Sequence, residues 1–187
     1  GMTGETALTF YQSGNDSILT IEGTNSAGHA QLTLKTGGTT DHCSINFGDS
    51  GDHDAGEIRY TNSSDSLNFD TAGVHRMTLD SSGRLLIGTT TVGQATADDL
   101  TIATTSNTGI TIRSGTGNDG NIYFSDGTSG SDEFRGYIQY GHSNNSMVFG
   151  TNASERIRID SSGRILIGLS SDSRTTTMIL SGNSSTG

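Results

Sequence analysis

The chain spells one stretch twice: Arg76-Met77-Thr78-Leu79-Asp80-Ser81-Ser82-Gly83-Arg84-Leu85-Leu86-Ile87-Gly88 returns as Arg156-Ile157-Arg158-Ile159-Asp160-Ser161-Ser162-Gly163-Arg164-Ile165-Leu166-Ile167-Gly168. Self-similarity at this distance marks serial copies of one supersecondary unit. In each copy a short alternating run leads into Asp-Ser-Ser-Gly and then an almost wholly apolar run, the pattern of a β-hairpin. Asp suits the first position of a type I turn, where its carboxylate accepts a backbone N–H. Gly supplies the positive φ of a bulged exit. Thr78 and Arg158 alternate with the apolar Met77/Leu79 and Ile157/Ile159, so the face that carries them is expected to be wet. Leu85-Leu86-Ile87 and Ile165-Leu166-Ile167 do not alternate. Such strands need cover on both faces, from another layer of the chain or from a neighbouring subunit.

The copies align along their length. Ile18-Leu19-Thr20-Ile21 matches Leu100-Thr101-Ile102 and Met178-Ile179-Leu180, and Gln31-Leu32-Thr33-Leu34-Lys35 matches Gly109-Ile110-Thr111-Ile112-Arg113. Ser44-Ile45-Asn46-Phe47 corresponds to Asn121-Ile122-Tyr123-Phe124, Glu57-Ile58-Arg59-Tyr60 to Tyr137-Ile138-Gln139-Tyr140, and Ser66-Leu67-Asn68-Phe69 to Ser146-Met147-Val148-Phe149. Each is read as a strand, and the hairpin closes each copy. Ile58 and Ile138 stand 80 positions apart but Phe47 and Phe124 only 77. The length difference therefore falls in loops, chiefly 48–56 against 125–136, while strands keep their register. The organisation expected is a lead-in at 1–16 with one strand at Ala7–Tyr11 and a turn at Ser13–Asp16, β-repeat 1 at 17–96, β-repeat 2 at 98–175, and the start of a truncated repeat 3 at 176–187. A chain that stops partway through a repeat is expected to be a piece of a longer protein, and Gly1 before Met2 fits the scar of a removed tag.

Composition sharpens the problem. Ile, Leu, Val and Phe make up about 19% of the 187 residues and the net charge is −10, which borders on the composition of disordered chains. Disorder has no reason to preserve period-2 register. The two facts agree if the fold is thin and several chains pool their apolar stripes into one core, so a homo-oligomer is expected. Proline is absent, glycine numbers 27, and no segment has the 3.6-residue apolar period of a helix; the fold class is all-β. With Cys43 as the sole cysteine, a disulfide-stapled secreted domain is excluded. No apolar run approaches the roughly 20 residues that span a bilayer, and no signal peptide is visible. The acidic balance repels nucleic acid and anionic membranes, so neither is an expected partner.

Candidate chemistry is sparse. Asp49, Asp52 and Asp54, with His53 between them, offer enough oxygen for Ca²⁺ if the loop folds on itself; the alternative is a solvated variable loop. His42-Cys43 lacks a third partner and the spacing of a zinc site. Gly115-Thr116-Gly117-Asn118-Asp119-Gly120 resembles a calcium or phosphate loop, but no helix follows and no lysine closes it, so it reads as a turn. Tyr60, Tyr123, Tyr137 and Tyr140 lie near Asn and Asp and can stack on sugar rings, with Tyr137 and Tyr140 the glycan-binding candidates; tyrosine is also an ordinary strand residue. Arg156 can pair with Glu155 or Asp160, as surface decoration rather than catalysis. No acidic pair can be placed at glycosidase separation.

From Gly136-Tyr137-Ile138-Gln139-Tyr140, through His142-Ser143-Asn144-Asn145 and Met147-Val148-Phe149, to Glu155-Arg156-Ile157-Arg158-Ile159-Asp160-Ser161-Ser162-Gly163 and Ile167-Gly168, the chain resembles the repeat of tail-fibre and other virion structural proteins of bacteriophages, many of them marine. Repeat 1 is a looser match, with His75-Arg76-Met77-Thr78-Leu79 where the family has Glu-Arg-Met-Arg-Ile. The resemblance spans about four-fifths of the chain. It implies repetitive β-hairpin modules forming an intertwined homotrimeric β-shaft, of β-prism or triple-β-helix type, in the tail or fibre of a virion and assembled in the host cytoplasm. Other virion proteins are the implied partners. It implies no activity and no cofactor, and the catalytic residues of the self-cleaving chaperone domain that often follows such repeats have no counterpart here. The function expected is a non-enzymatic shaft or connector that presents a receptor-binding tip. The alternative is a carbohydrate-binding or adhesin module on a cell or virion surface, with a host surface glycan as partner; a polysaccharide-degrading tailspike would need a carboxylate-lined groove.

Overall fold

The Asp-Ser-Ser-Gly turn folds as its chemistry requires. In the computed structural model, which describes residues 29–168 together with Leu19 and Ile21, Asp80 Oδ1 accepts the N–H groups of Ser82 at 2.9 Å and Arg84 at 3.0 Å, and Gly83 turns at φ 81°. Asp160 repeats the arrangement with Ser162 and Arg164 at 2.9 and 3.0 Å, and Gly163 turns at φ 77°. In both, the Gly N–H also donates to the Asp carbonyl at 2.9 Å, closing the type I turn,.

These hairpins end two antiparallel meanders. The first sheet holds β1 (His42–Phe47), β2 (Gly56–Thr61), β3 (Ser66–Thr71), β4 (Val74–Leu79), β5 (Leu85–Ile87) and β6 (Leu100–Ile102), adjacent in that order. The second holds β7 (Asp119–Phe124), β8 (Gly136–Gly141), β9 (Ser146–Thr151), β10 (Ser154–Ile159) and β11 (Ile165–Ile167), with a short 3-10 helix, Gly130–Phe134, between β7 and β8. The protein is all-β. It divides between Thr108 and Gly109 into two units, each holding one sheet. Ala72-Gly73 and Asn152-Ala153 join β3 to β4 and β9 to β10 with positive φ at both residues, the two-residue turn whose twist matches the strands,.

Three features depart from the sequence reading. Gln31–Lys35 and Gly109–Arg113 alternate as strands do, yet they join no ladder among the described residues; period-2 patterning fixes which side chains share a face but supplies no partner for the backbone. Leu100–Ile102, the first element of repeat 2 by sequence, pairs in parallel with Leu85–Ile87 and so completes the first sheet. Sequence period and structural unit are therefore out of phase. The strand at Ala7–Tyr11, the turn at Ser13–Asp16 and the third repeat at 176–187 lie outside the described residues.

Register sorts the side chains by chemistry. Across the first sheet Ile45, Ile58, Phe69, Met77, Ile87 and Ile102 stand opposite one another, as do Cys43, Tyr60, Leu67, Leu79, Leu85 and Leu100. Across the second the rows are Ile122, Ile138, Phe149, Ile157, Ile167 and Gly120, Tyr140, Met147, Ile159, Ile165. Because alternate residues share a face, both rows of each sheet lie on one side. Each sheet thus has a continuous apolar face and a polar one.

Candidate functional site

The apolar faces are open. None of their residues is buried; Phe47 is 56% exposed, Phe124 60% and Ile165 51%. Every buried residue among those described sits on the opposite face: Ser66, Asn68, Thr78 and Leu86 in the first sheet, Gly141, Ser146, Val148, Gly150 and Leu166 in the second. This inverts the expectation that the Thr78 and Arg158 face would be wet: Thr78 is 7% exposed and Arg158 half-buried. The expected cover on both sides of the hairpin's second arm is present on one side only, over Leu86 and Leu166. Thr90 and Val92, in the connector after β5, border the same hollow as Leu86. On the apolar side, Leu32 and Leu34 border a hollow of about 530 Å³ above Ile45, Ile58 and Leu67, but remain 60% and 46% exposed themselves.

The two repeats keep one face and vary the other. Ile45/Ile122, Ile58/Ile138, Phe69/Phe149, Tyr60/Tyr140, Phe47/Phe124 and Leu85/Ile165 hold the apolar face nearly unchanged. On the polar face Asn46 becomes Tyr123, Glu57 becomes Tyr137, Arg59 becomes Gln139, Asp70 becomes Gly150 and Thr78 becomes Arg158.

In the first sheet the polar face is a hydrogen-bonded ion network. Arg59 pairs with Glu57 at 2.9 Å and Asp70 at 3.2 Å; His75 bridges Asp70 at 2.8 Å and Thr78 at 2.7 Å; the Thr78 hydroxyl donates to Asn68 at 3.0 Å. Satisfied this way, polar side chains tolerate burial. At its margin Arg84 joins Asp80 and Asp98 at 2.7 and 2.9 Å. The Asp80 carboxyl is held below its ordinary value, first by the Arg84 backbone N–H; that of Asp160 is lowered too, first by the Arg164 side chain,.

In the second sheet Arg158 grips Glu155 through two bonds, of 2.8 and 2.5 Å, and donates to Ser146 Oγ at 2.6 Å. Beside this pair Tyr123, Phe134, Tyr137 and Gln139 border a cleft of about 220 Å³. Burial, then the Glu155 carboxylate, raises the Tyr137 hydroxyl above its ordinary value. Gln139 Nε2 donates to Asp119 Oδ2 at 3.1 Å and Asn121 Oδ1 at 3.0 Å.

The residues singled out from sequence fall as follows. Tyr137 and Tyr140 project from opposite faces of β8, being three positions apart, and do not form one site; Tyr140 lies in the apolar row and its hydroxyl bonds Asn145 at 3.3 Å. Asp49 Oδ1 caps its own turn, accepting from Gly51 at 2.7 Å and Asp52 at 3.1 Å, and these bonds lower its carboxyl; Asp52 Oδ1 accepts from Asp54 N at 3.3 Å. The Asp49 and Asp52 carboxylates thus bond their own loop's backbone. Among the described residues no three His, Cys, Asp or Glu side chains are grouped to hold a metal ion. Cys43 is a free thiol in the apolar row opposite Tyr60, with His42 on the other face of β1. Arg156 pairs with neither Glu155 nor Asp160: Nε donates to Thr151 Oγ1 at 3.1 Å, because a bulge after Glu155 turns it out of the face,. Phe134 escaped the sequence reading, since it lies in the loop 125–136, where the two repeats differ in length. No protein-family model matches the chain, and no curated protein matches it.

Proposed function

We propose that the chain is a non-enzymatic structural module of a bacteriophage tail fibre or similar virion appendage, built as a homotrimeric shaft or connector that presents a receptor-binding tip. The observation that carries this reading is the open apolar face, kept at nearly every position in both repeats. A sheet face of this kind left in water costs roughly 25 cal/mol for each Å² of apolar surface that association would bury. A solvent-exposed role has no use for the same isoleucines twice; a shared core does. Two sheets packed face to face would bury the apolar rows but leave the outer edges of β1 and β6, and of β7 and β11, open. Three sheets closed around an axis, apolar faces inward, cover faces and edges together. The unladdered runs Gln31–Lys35 and Gly109–Arg113 are then available to pair with neighbouring chains. Other virion proteins would flank the module, and its place is the virion, after assembly in the host cytoplasm.

The test is the solution mass of the folded protein. A species of about three times 19.4 kDa, held on dilution to nanomolar concentration, is the expected result. A folded single chain at that dilution would overturn the reading, and a dimer would replace the prism with a sandwich.

A further inference from the structure

The outer face of the second sheet carries a feature that the first lacks. Tyr123 and Tyr137 stand directly opposite on β7 and β8. Phe134, from the 3-10 helix, leans over Tyr123 with ring centroids 6.2 Å apart and planes at 50°. The Tyr137 ring lies against the backbone of β9 at Gly150, where an added Cβ would come within 2.0 Å of Tyr137 Cε1. Only glycine admits the ring there, and the corresponding pair in repeat 1 is Asp70 and Glu57. Tyr123 is 53% exposed and Phe134 37%, so two large rings stand in water at the mouth of one cleft.

The polar rim is fixed in advance. Gln139 is held by Asp119 and Asn121 through its amide nitrogen, which leaves its carbonyl oxygen as an acceptor. Asn121 retains its amide donors, and the Tyr123 and Tyr137 hydroxyls each carry a donor and an acceptor. The Arg158 guanidinium is neutralised by Glu155; Arg156, also within electrostatic reach of Tyr137, is bonded to Thr151, and Asp119 adds negative charge farther along the same sheet face. Aromatic walls with a carboxamide at the edge suit a ligand with apolar C–H faces and an equator of hydroxyls. The net charge of −10 on the chain disfavours an anion,. The cleft of about 220 Å³ falls below the roughly 300–1,000 Å³ of drug-sized pockets and suits a single ring.

We propose that the Tyr123–Phe134–Tyr137 cleft, bordered by Gln139 and flanked on the same sheet face by Asn121 and Asp119, binds one neutral pyranose ring of an oligosaccharide. The site is complete within one chain, so it stands or falls independently of the oligomeric state.

The full chain is titrated with cellohexaose, maltohexaose, mannohexaose and chitohexaose, and with sialyllactose and a hexagalacturonate as acidic comparators, by saturation-transfer NMR and tyrosine fluorescence. Saturable binding of at least one neutral hexaose is expected, weakened at least about tenfold, or 1.4 kcal/mol, in Tyr137→Ala and in Tyr123→Ala. Tyr123 lies exposed on the edge strand, so its truncation leaves the sheet intact, as circular dichroism will verify. Gly150→Val, which evicts the Tyr137 ring, should weaken binding equally, and Tyr60→Phe in the first sheet should not. Failure of all four neutral sugars to bind at millimolar concentration overturns the proposal. So does tighter binding of either acidic sugar, or neutral-sugar binding that Tyr123→Ala leaves unchanged.

Discussion

Ile165 and Leu166 are adjacent in the chain, yet Leu166 is 4% exposed and Ile165 51%. The difference separates what the single chain buries from what it leaves open, and variants on the two faces should fail in different ways.

On the apolar face, Ile58→Lys combined with Ile138→Lys places a charge at the centre of each open sheet. Loss of the proposed trimer to single chains that keep their β-sheet dichroism is expected, read by sedimentation; an unchanged mass would show that these faces are not the contact.

On the covered face, Leu86→Ala and Leu166→Ala remove side chains that are 3% and 4% exposed. Each should cost about 2–4 kcal/mol of folding stability, measured by denaturant unfolding.

Acid should loosen the hairpins. Folding lowers the Asp80 and Asp160 carboxyl pKa, so their contribution is complete above the ordinary value near 3.9 and is lost as pH falls through the lower folded values. Asp80→Asn with Asp160→Asn should therefore melt below the parent at neutral pH, and the difference between the two melting curves should shrink as pH falls through the lowered carboxyl values,.

Ala153 turns at φ 54° and Ala72 at φ 53°, where a Cβ crowds the following carbonyl. Ala153→Gly relieves about 1–2 kcal/mol of that strain, less up to about 1 kcal/mol in unfolded-chain entropy. A rise in melting temperature of a few degrees is expected; a fall would mean that Ala153 makes contacts worth more than its strain.

The hairpins were legible because Asp-Ser-Ser-Gly carries its own turn chemistry, and most strands because alternation fixes which residues share a face, though it misled at Gln31–Lys35 and Gly109–Arg113. Alternation did not say which face the chain covers. Thr78 read as wet because threonine is polar, but His75 and Asn68 satisfy it and Leu86 lies beside it. Tyr137 and Tyr140 read as one site because they are close in sequence, although a three-residue step in a strand crosses the sheet. The cleft needed Gly150 beneath Tyr137 and Phe134 from a loop whose length differs between the repeats, and neither relation leaves a mark in local pattern.

The parallel seam between Leu85–Ile87 and Leu100–Ile102 bears on how such a chain can change length. Because the strand that finishes the first sheet belongs by sequence to the following period, splicing one whole period in or out reproduces the same seam at the new junction. Recombination between tandem copies can then lengthen or shorten the molecule in fixed increments, without designing a new boundary each time.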